Sequence, residues 1–336
     1  MKNENLWEQI HKLKLGSKKK FEIEVPELYG IKSLTIPVLV KRGLREGPTV
    51  LITSAVHGDE INHINTCHRL YQSKNFEVKA GLLIILPVVN IYGYINKSRY
   101  FPDRRDLNRC FPGSEKGSLA SQIAYLVSNT FMSKADYIID MHTAAVGRFN
   151  TPQVRCTFEN EQLKSIAPKL QVPIVLNSQN REGSLRYHAQ SLNKPCLVFE
   201  AGEALRQNNY ISAAGLRFLK SVLSEIGMMD KKIRKKQNSP ISLQKSHWLR
   251  AQESGLLVTK YKEGKLIRKG QILAEIRNIR GDSAHKIYCQ ADGVILGVTV
   301  NPLIIKGDAI FHIGFIKNDD IDNFQDQSWS DEYNIE

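Results

Sequence analysis

Two short motifs carry side chains of the types that bind a metal ion. His57 and Glu60 form an HxxE pair directly after the predicted strand Thr49–Ala55, and His142 follows Asp140 where a second predicted strand ends. Imidazole and carboxylate groups are good zinc ligands, and three protein ligands leave a fourth position open for water. HxxE alone is a weak signal, but the second motif supplies the third ligand. Together the motifs predict a catalytic metal site of His57, Glu60 and His142.

Two further carboxylates accompany these ligands. Asp140 lies two residues before His142, so both side chains face the same side of a strand, and Asp140 could accept a hydrogen bond from a ligand's ring N–H. The alternative is a carboxylate that caps a turn. Glu200 ends a third predicted strand, within FEAGE, and a glutamate beside a metal can act as a general base. Its position at the strand end favours Glu200 over Glu203.

An arginine-rich loop follows between Ser98 and Gly113. It contains four arginines within eleven residues, namely Arg99, Arg104, Arg105 and Arg109. Arginine binds carboxylates through two parallel hydrogen bonds and stabilises a developing oxyanion. The loop therefore predicts an anion-binding segment, with a solvated basic loop as the alternative.

The elements that must position these residues alternate between apolar runs and helical patterns. The predicted strands are Ser33–Val40, Thr49–Ala55, Gly81–Val89, Tyr137–Asp140, Ile174–Leu176 and Cys196–Glu200. The predicted helices are Glu60–Gln72, Leu119–Lys134 and Asn209–Ile226. Continuous apolar strands between amphipathic helices indicate an α/β domain with a buried, partly parallel sheet.

A composition break divides the chain. Met229–Pro240 is polar and basic, and we interpret it as a linker. Beyond it, Trp248–Gly314 contains short apolar runs separated by turn signals, which predicts a smaller all-β domain. The predicted domains are residues 1–235 and 243–336, the second ending in an acidic tail from Asp319 to Glu336.

The bulk composition limits the function classes. The formal net charge is +13, and the basic clusters Lys18–Lys20 and Lys231–Lys236 lie where we expect a terminus and a linker, so we interpret them as solvated surface. No nucleic-acid-binding motif and no membrane-spanning segment is evident, and we predict neither partner. Five scattered cysteines, none in a CxxC spacing, argue against a disulfide framework and favour the cytoplasm.

The motifs HGDE, DLNRCFPG, DMH and FEAGE, in this order, resemble those of the succinylglutamate desuccinylase/aspartoacylase family. The resemblance runs from about Thr49 to Glu203 and extends to the C-terminal β-region. It implies a zinc-carboxypeptidase-like mixed sheet flanked by helices. The C-terminal region is similar to half of a biotinyl/lipoyl-like barrel, but it has no lysine flanked by methionines, so we infer no covalent cofactor.

Residue by residue, the resemblance implies a set of roles. His57, Glu60 and His142 match the zinc ligands, and Glu200 matches the general base. Asn108 and Arg109 match the pair that binds the substrate carboxylate. Arg99 is most similar to the arginine that polarises the scissile carbonyl, with Arg104 and Arg105 as alternatives. Arg186 and Tyr187 lie in a segment that in relatives can approach the site.

These matches imply a zinc-dependent amidohydrolase with one Zn²⁺ per subunit. The expected substrate is a small anionic N-acyl amino acid or an acidic peptide. The wording SRYFPDRRDLNRCFPGS is similar to a bacterial subgroup for which poly-glutamate is a candidate substrate. The alternative function is a metallocarboxypeptidase that trims free peptide C-termini. The oligomeric state stays open.

Overall fold

The computed structural model describes residues 5–28, 30, 34–73, 76–230, 239–281 and 283–316. Its α-helices are α1 (Leu6–His11), α2 (Asn62–Gln72), α3 (Ile91–Ile95), α4 (Leu119–Thr130), α5 (Glu161–Ile166), α6 (Leu185–Ser191) and α7 (Asn209–Glu225). Short 3₁₀ turns occur at Leu107–Arg109, Met132–Lys134 and Ala167–Lys169.

The strands divide between an N-terminal and a C-terminal group. The first group is β1 (Lys18–Glu24), β2 (Thr35–Arg42), β3 (Arg45–Ser54), β4 (Ala80–Leu86), β5 (Tyr137–Ala144), β6 (Arg148–Cys156), β7 (Ile174–Asn177) and β8 (Cys196–Glu203). The second group is β9 (Ile241–Leu243), β10 (Ser246–Arg250), β11 (Gly255–Thr259), β12 (Leu266–Ile267), β13 (Ile272–Arg277), β14 (Ala284–Tyr288), β15 (Gly293–Thr299), β16 (Leu303–Ile304) and β17 (Ala309–Phe315).

A large mixed sheet forms the centre of the molecule. Its main strand order is β1-β2-β4-β3-β5-β8-β6-β15-β17-β10, and β4, β3, β5 and β8 run parallel. Every residue of β4 is buried, as expected for a strand covered on both faces. The carboxyl ends of β3, β5 and β8 lie side by side at one edge, where α/β proteins commonly place their sites. The predicted α/β class with a partly parallel sheet is confirmed.

Helices cover both faces of this sheet. On one face α2 and α7 pack together, and their apolar residues join a core that includes Leu70 and Phe218. On the other face α4 and α6 supply Ile123 and Leu185 to a second core. The apolar stripe of each helix is therefore buried against strands, as an amphipathic pattern requires.

The C-terminal strands extend the same large sheet. β15 pairs antiparallel with β6, β9 pairs parallel with β7, and a second sheet has the order β14-β13-β11-β16. Thus the predicted all-β region is present, and its contact with the α/β part is made by strand pairing. The division of the chain between residues 235 and 243 stays a prediction. Residues 231–238, and so most of the predicted linker, and the acidic tail lie outside the described residues.

Several predicted element bounds were wrong. The helix predicted from Glu60 begins at Asn62, so Glu60 lies in the preceding turn. The strand predicted to end at Asp140 continues to Ala144, because Thr143 and Ala144 are buried beside β8. Lys18–Lys20 are exposed, as predicted, but they open strand β1 instead of a free terminus. Among the described residues, none of the helices has the length and apolar character that a membrane crossing requires.

Candidate metal centre and active site

The turn after β3 brings His57 and Glu60 together. Ala55 adopts a positive φ of 47°, which redirects the chain as it leaves the strand. The backbone N–H of Glu60 donates to the carbonyl of His57 at 3.1 Å, and both side chains are buried. Nδ1 of His57 lies 2.6 Å from Oε1 of Glu60. A tight turn therefore brings the two side chains together, as the HxxE spacing predicted.

His142 completes the cluster from the neighbouring strand. Its Nδ1 lies 2.9 Å from Oε2 of Glu60, and the same oxygen accepts a hydrogen bond from the backbone N–H of Thr143 at 2.9 Å. One ligand atom from each of His57, Glu60 and His142 lies within 4.8 Å of the others. This spacing suits a single ion, because zinc–ligand bonds are about 2 Å long. The three predicted ligands thus converge and could hold a metal ion.

The far side of each imidazole contacts a carboxylate. Nε2 of His142 lies 2.7 Å from Oδ2 of Asp140, which confirms the contact expected from the DMH spacing. Nε2 of His57 lies 3.1 Å from Oδ1 of Asp106. A carboxylate at Nε2 keeps the proton there and leaves Nδ1 as the ligand atom, which is the usual arrangement around zinc-bound histidines. The donor set therefore fits zinc.

The electrostatics of the cluster favour positive charge at its centre. Burial alone lowers the pKa of a histidine, but Glu60 and Asp106 outweigh it and raise the pKa of His57. Burial is likewise outweighed at His142, where Asp140 and Glu60 raise the pKa well above its ordinary value. The pKa of Glu60 is held far below its usual range, because the two imidazoles outweigh its burial. A divalent cation bound here would replace the proton on Nδ1 of each charged imidazole and leave the Nε2 protons on the aspartate side.

Glu200 lies beside the cluster near the end of β8. Its Cα is paired with that of His142 across the two strands, and its side chain is 15% exposed. Oε2 of Glu200 accepts a hydrogen bond from Nδ2 of Asn150 at 3.0 Å, and Oε1 lies 3.6 Å from Nη1 of Arg155. Glu203 is used elsewhere, since its Oε1 accepts from the backbone N–H of Gly147 at 3.0 Å. A cavity opens at His57, Glu60 and His142, and we call it the metal cavity. Of the two glutamates in FEAGE, Glu200 is the one that lines it.

The arginine-rich loop sends one of its candidate arginines to the cluster. Nη2 of Arg99 donates to Oδ2 of Asp106 at 3.0 Å, and Nη1 lies 3.4 Å from Oε1 of Glu60. Arg104 and Arg105 are exposed, and Arg105 faces Asp103. Of the three alternatives, Arg99 is the one in the metal cavity.

Asn108 and Arg109 lie on the short 3₁₀ turn that Asp106 caps. The backbone N–H of Leu185 donates to Oδ1 of Asn108 at 2.9 Å, which holds this amide by its acceptor oxygen, while its Nδ2 carries the two donors. Arg109 is exposed at the cavity wall, and partial burial together with the nearby guanidinium groups of Arg181 and Arg99 lowers its pKa. Both residues line the metal cavity, as their predicted role requires.

The cavity that joins these groups has a volume of about 320 Å³. Its wall also includes Arg155, Arg181 and Arg186, so guanidinium groups surround the cluster of His57, Glu60 and His142. Tyr187, next to Arg186, is 42% exposed and is not part of this wall. Positive charge on the wall favours an anionic ligand beside the cluster of His57, Glu60 and His142.

Three residues that contact the site were not predicted from the sequence: Asp106, Asn150 and Arg155. Asp106 contacts His57 across 49 residues, and its position in DLNR is the one signal that could have suggested it. Asn150 and Arg155 lie on β6, a strand that is not among those predicted from the sequence. A further histidine, His63, is buried beside the cluster, and its Nε2 lies 3.0 Å from the carbonyl oxygen of His142. Burial lowers the pKa of His63 to about 4, so it stays neutral.

This geometry agrees with comparisons to known proteins. A family model described as the succinylglutamate desuccinylase/aspartoacylase catalytic domain matches residues 46–226, more than half of the chain. The chain belongs to this family. The matched range contains all seven residues predicted for the site, from His57 to Glu200.

Relatives of this member of the succinylglutamate desuccinylase/aspartoacylase family include a curated enzyme. This chain is 36% identical over 113 residues to the N-alpha-acetyl-L-2,4-diaminobutyric acid deacetylase of Halomonas elongata. The match spans about a third of either protein, 33% of this chain and 32% of the relative.

Solved structures show that the fold extends over nearly the whole chain. The ectoine utilization protein EutE (DoeB) from Ruegeria pomeroyi has a TM-score of 0.80 at 22% identity, covering 91% of this chain and 98% of that one. A succinylglutamate desuccinylase/aspartoacylase from Rhodobacter sphaeroides has a TM-score of 0.78 at 22% identity, covering 89% and 96%. At these identities the similarity establishes the fold, including the C-terminal β-region.

Proposed function

We propose that this protein is a zinc-dependent amidohydrolase that cleaves the amide bond of an N-acyl amino acid. One observation carries the proposal. The two oxygens of Glu60 face Nδ1 of His57 and of His142, while the opposite nitrogen of each ring contacts an aspartate. Both imidazoles are thereby oriented toward one point, which is what a three-ligand zinc site needs.

His57, Glu60 and His142 would hold the ion, one per subunit. Zinc, when bound, supplies Lewis acidity that polarises a carbonyl group and acidifies water. Glu200 is the group that takes a proton from the attacking water and returns it to the leaving amine. Its exposed fraction of 15% and its place on the cavity wall allow such contact with substrate.

The arginines and Asn108 orient the substrate. Asn108 and Arg109 bind a carboxylate of the substrate, so that the amide lies beside Glu200, and this fixed orientation replaces a random encounter. Arg99, already within 3.4 Å of Glu60, stabilises the negative charge that develops on the scissile carbonyl oxygen.

The substrate class follows from the cavity and the relatives. A wall of guanidinium groups selects anionic amides, and the curated relative is named as a deacetylase of an N-acetylated amino acid. We therefore propose small N-acyl amino acids, with acidic and poly-glutamyl peptides as a related group. The unpaired cysteines fit a reducing compartment, and we propose that the enzyme works in the cytoplasm.

A comparison of Glu200→Gln with Glu203→Gln tests the general base. Glu200→Gln keeps the shape of the side chain but cannot accept the proton, so we expect turnover to fall by at least about a hundredfold. Zinc content, measured by elemental analysis, should be unchanged. Glu203→Gln is the matched control in the same motif and should retain most of the activity. Near-normal turnover in Glu200→Gln would exclude Glu200 as the base.

Metal analysis and a substrate screen test the reaction. We expect about one zinc per chain and loss of activity on chelation, restored by added zinc. N-acyl amino acids, N-blocked acidic peptides and unblocked peptides should be assayed side by side. Cleavage restricted to unblocked peptides at their C-terminal residue would favour the carboxypeptidase alternative. Full activity after removal of all metal would contradict the zinc proposal.

A further inference from the structure

The hydrogen bond to Glu200 comes from a strand that the general-base assignment does not include. Nδ2 of Asn150, on β6, donates to Oε2 of Glu200 at 3.0 Å. Asn150 is 5% exposed, so solvent hardly competes for this bond. The second neighbour, Arg155, is 3.6 Å away and attracts the other carboxylate oxygen. The orientation of the carboxylate therefore depends on a balance between these two side chains.

An irregularity in strand pairing aims Asn150 at this carboxylate. Along β6 and β8, Asn150 is opposite Gly202, and Gln153 is opposite Glu200. Between these two pairs the spacing is three residues on β6 but two on β8, so β6 contains one extra residue. Such bulges commonly redirect a side chain beside an active site. Here the redirected side chain reaches across to Glu200.

The C-terminal region provides the space that Asn150 occupies. Asn150 is paired with Gly297 of β15 on its other side. A Cβ atom added to Gly297 would lie 2.7 Å from Oδ1 of Asn150, closer than real Cβ contacts. Any residue other than glycine at 297 would therefore displace the Asn150 side chain.

Two further hydrogen bonds hold β6 against β15, one from within the bulge and one from the residue at which regular pairing with β8 resumes. Oγ1 of Thr151 donates to the carbonyl of Ile295 at 2.9 Å, and Nε2 of Gln153 donates to the carbonyl of Leu296 at 3.0 Å. All seven residues of β15 are buried. The backbone around Asn150 is therefore set by the C-terminal strands as well as by β8.

We propose that Asn150 is a positioning residue for Glu200, and that the C-terminal β-region takes part in the reaction through Gly297. The inference rests on the proposed role of Glu200. Asn150 fixes Oε2 of Glu200 and so sets the orientation of the carboxylate within the metal cavity. Without it, the attraction of Arg155 on the same cavity wall is unopposed and turns the carboxylate out of that orientation. Substrate binding by Asn108 and Arg109 does not depend on this contact.

Substitution of Asn150 should therefore separate kcat from KM. In Asn150→Ala we expect kcat to fall about tenfold to a hundredfold, a size typical of a misplaced catalytic group, with KM changed by less than about threefold. Asn150→Asp keeps the size but lacks the donor, so it should lose at least as much activity. Zinc content and the thermal unfolding midpoint should be measured in parallel. Thr151→Val, which loosens the same strand but leaves both side-chain contacts of Glu200 in place, is the control, and its kcat should fall much less than that of Asn150→Ala.

A double-mutant cycle tests the part played by Gly297. Gly297→Ala should lower kcat in the wild-type background, because its new methyl group displaces Asn150. In the Asn150→Ala background the same change should cause no further loss of kcat, since the displaced atom is already absent. Equal losses in both backgrounds would assign Gly297 to general packing and would overturn its proposed role.

The variants distinguish the positioning role of Asn150 from the general-base role of Glu200. If Asn150→Ala and Asn150→Asp keep wild-type kcat while Glu200→Gln is inactive, Asn150 does not position the base and the proposed function stands. If Glu200→Gln itself is active, the proposed function fails first. If Thr151→Val loses as much kcat as Asn150→Ala, the effect belongs to the strand as a whole, and the specific role of Asn150 is overturned.

Discussion

Asp140 and Asp106 have the same relation to the two candidate histidine ligands. Each contacts Nε2 of its histidine, and Nδ1 of that histidine faces Glu60. Asp140 is itself held, because Oγ1 of Thr53 donates to its second oxygen at 2.7 Å. Since a fixed carboxylate fixes the ring, we expect Asp140 and Asp106 to strengthen metal binding without being ligands themselves.

Asp140→Asn should weaken zinc binding by about tenfold to a hundredfold, because the amide carries no charge to support the ligand imidazole. The measurement is competition for zinc with a chelator of known affinity. Asp136→Asn, at the start of the same strand, is the control, since Asp136 accepts only from the backbone N–H of Thr49 among its described contacts. Unchanged zinc affinity in Asp140→Asn would contradict the role given to Asp140.

Strand β17 buries a titratable group, His312, that has no part in the proposed reaction. Six of its seven residues are buried, and His312 stacks on the Trp248 ring with centroids 4.7 Å apart. Nε2 of His312 lies 2.9 Å from Oγ of Ser246. Burial, aided by the positive charge of Arg155 and the neighbouring His247, lowers the pKa of His312 to about 3. The folded protein therefore keeps this histidine neutral.

This shift predicts an acid sensitivity that originates in β17. Below pH 6.5, His312 binds a proton in the unfolded chain but stays neutral in the folded chain. The free energy of unfolding therefore decreases as the pH falls from 6.5 toward 3. His312→Phe keeps an aromatic ring and should remove about 1–2 kcal/mol of the stability loss between pH 8 and pH 5. Urea unfolding at both pH values measures it. His11→Phe, at an exposed position, is the control, and an equal change in both variants would refute the assignment to His312.

At the scale of the whole molecule, the C-terminal β-region is joined to the α/β part by strand pairing and by a shared core. Ile174 and Leu176 of β7 pack with Leu243, Val294 and Leu296 of the C-terminal strands. Separation of the two parts would expose these residues and the edges of β6 and β7. Such edges are prone to pairing with other chains, so the two parts depend on each other for protection.

We therefore expect both parts to unfold in one cooperative transition. Two single-tryptophan variants report on them separately. One keeps Trp7, which packs against the N-terminal core, and the other keeps Trp248 on β10, with every other tryptophan changed to phenylalanine. The urea midpoints from tryptophan fluorescence should coincide within error. Two separated midpoints would show that the C-terminal region unfolds independently.

The sequence alone determined those features of this protein that are local or that follow from the ends of parallel strands. The apolar run of β4 and the motif positions after β3, in β5 and in β8 sufficed to predict a partly parallel sheet with His57, Glu60, His142 and Glu200 at one edge. Side-chain alternation along a strand also sufficed to place Asp140 beside His142. These inferences succeed because strand geometry is regular and because parallel strands bring their carboxyl ends together.

The tertiary structure decided which long-range partners those residues have. Asp106 reaches His57 from a loop, Arg99 and not Arg104 or Arg105 enters the cavity, and Asn150 reaches Glu200 through an irregularity in strand pairing. Loop paths and strand irregularities depend on packing between segments far apart in the chain, and no periodic pattern encodes them. For the same reason, only the fold revealed that the C-terminal strands join the sheet that carries the candidate active site.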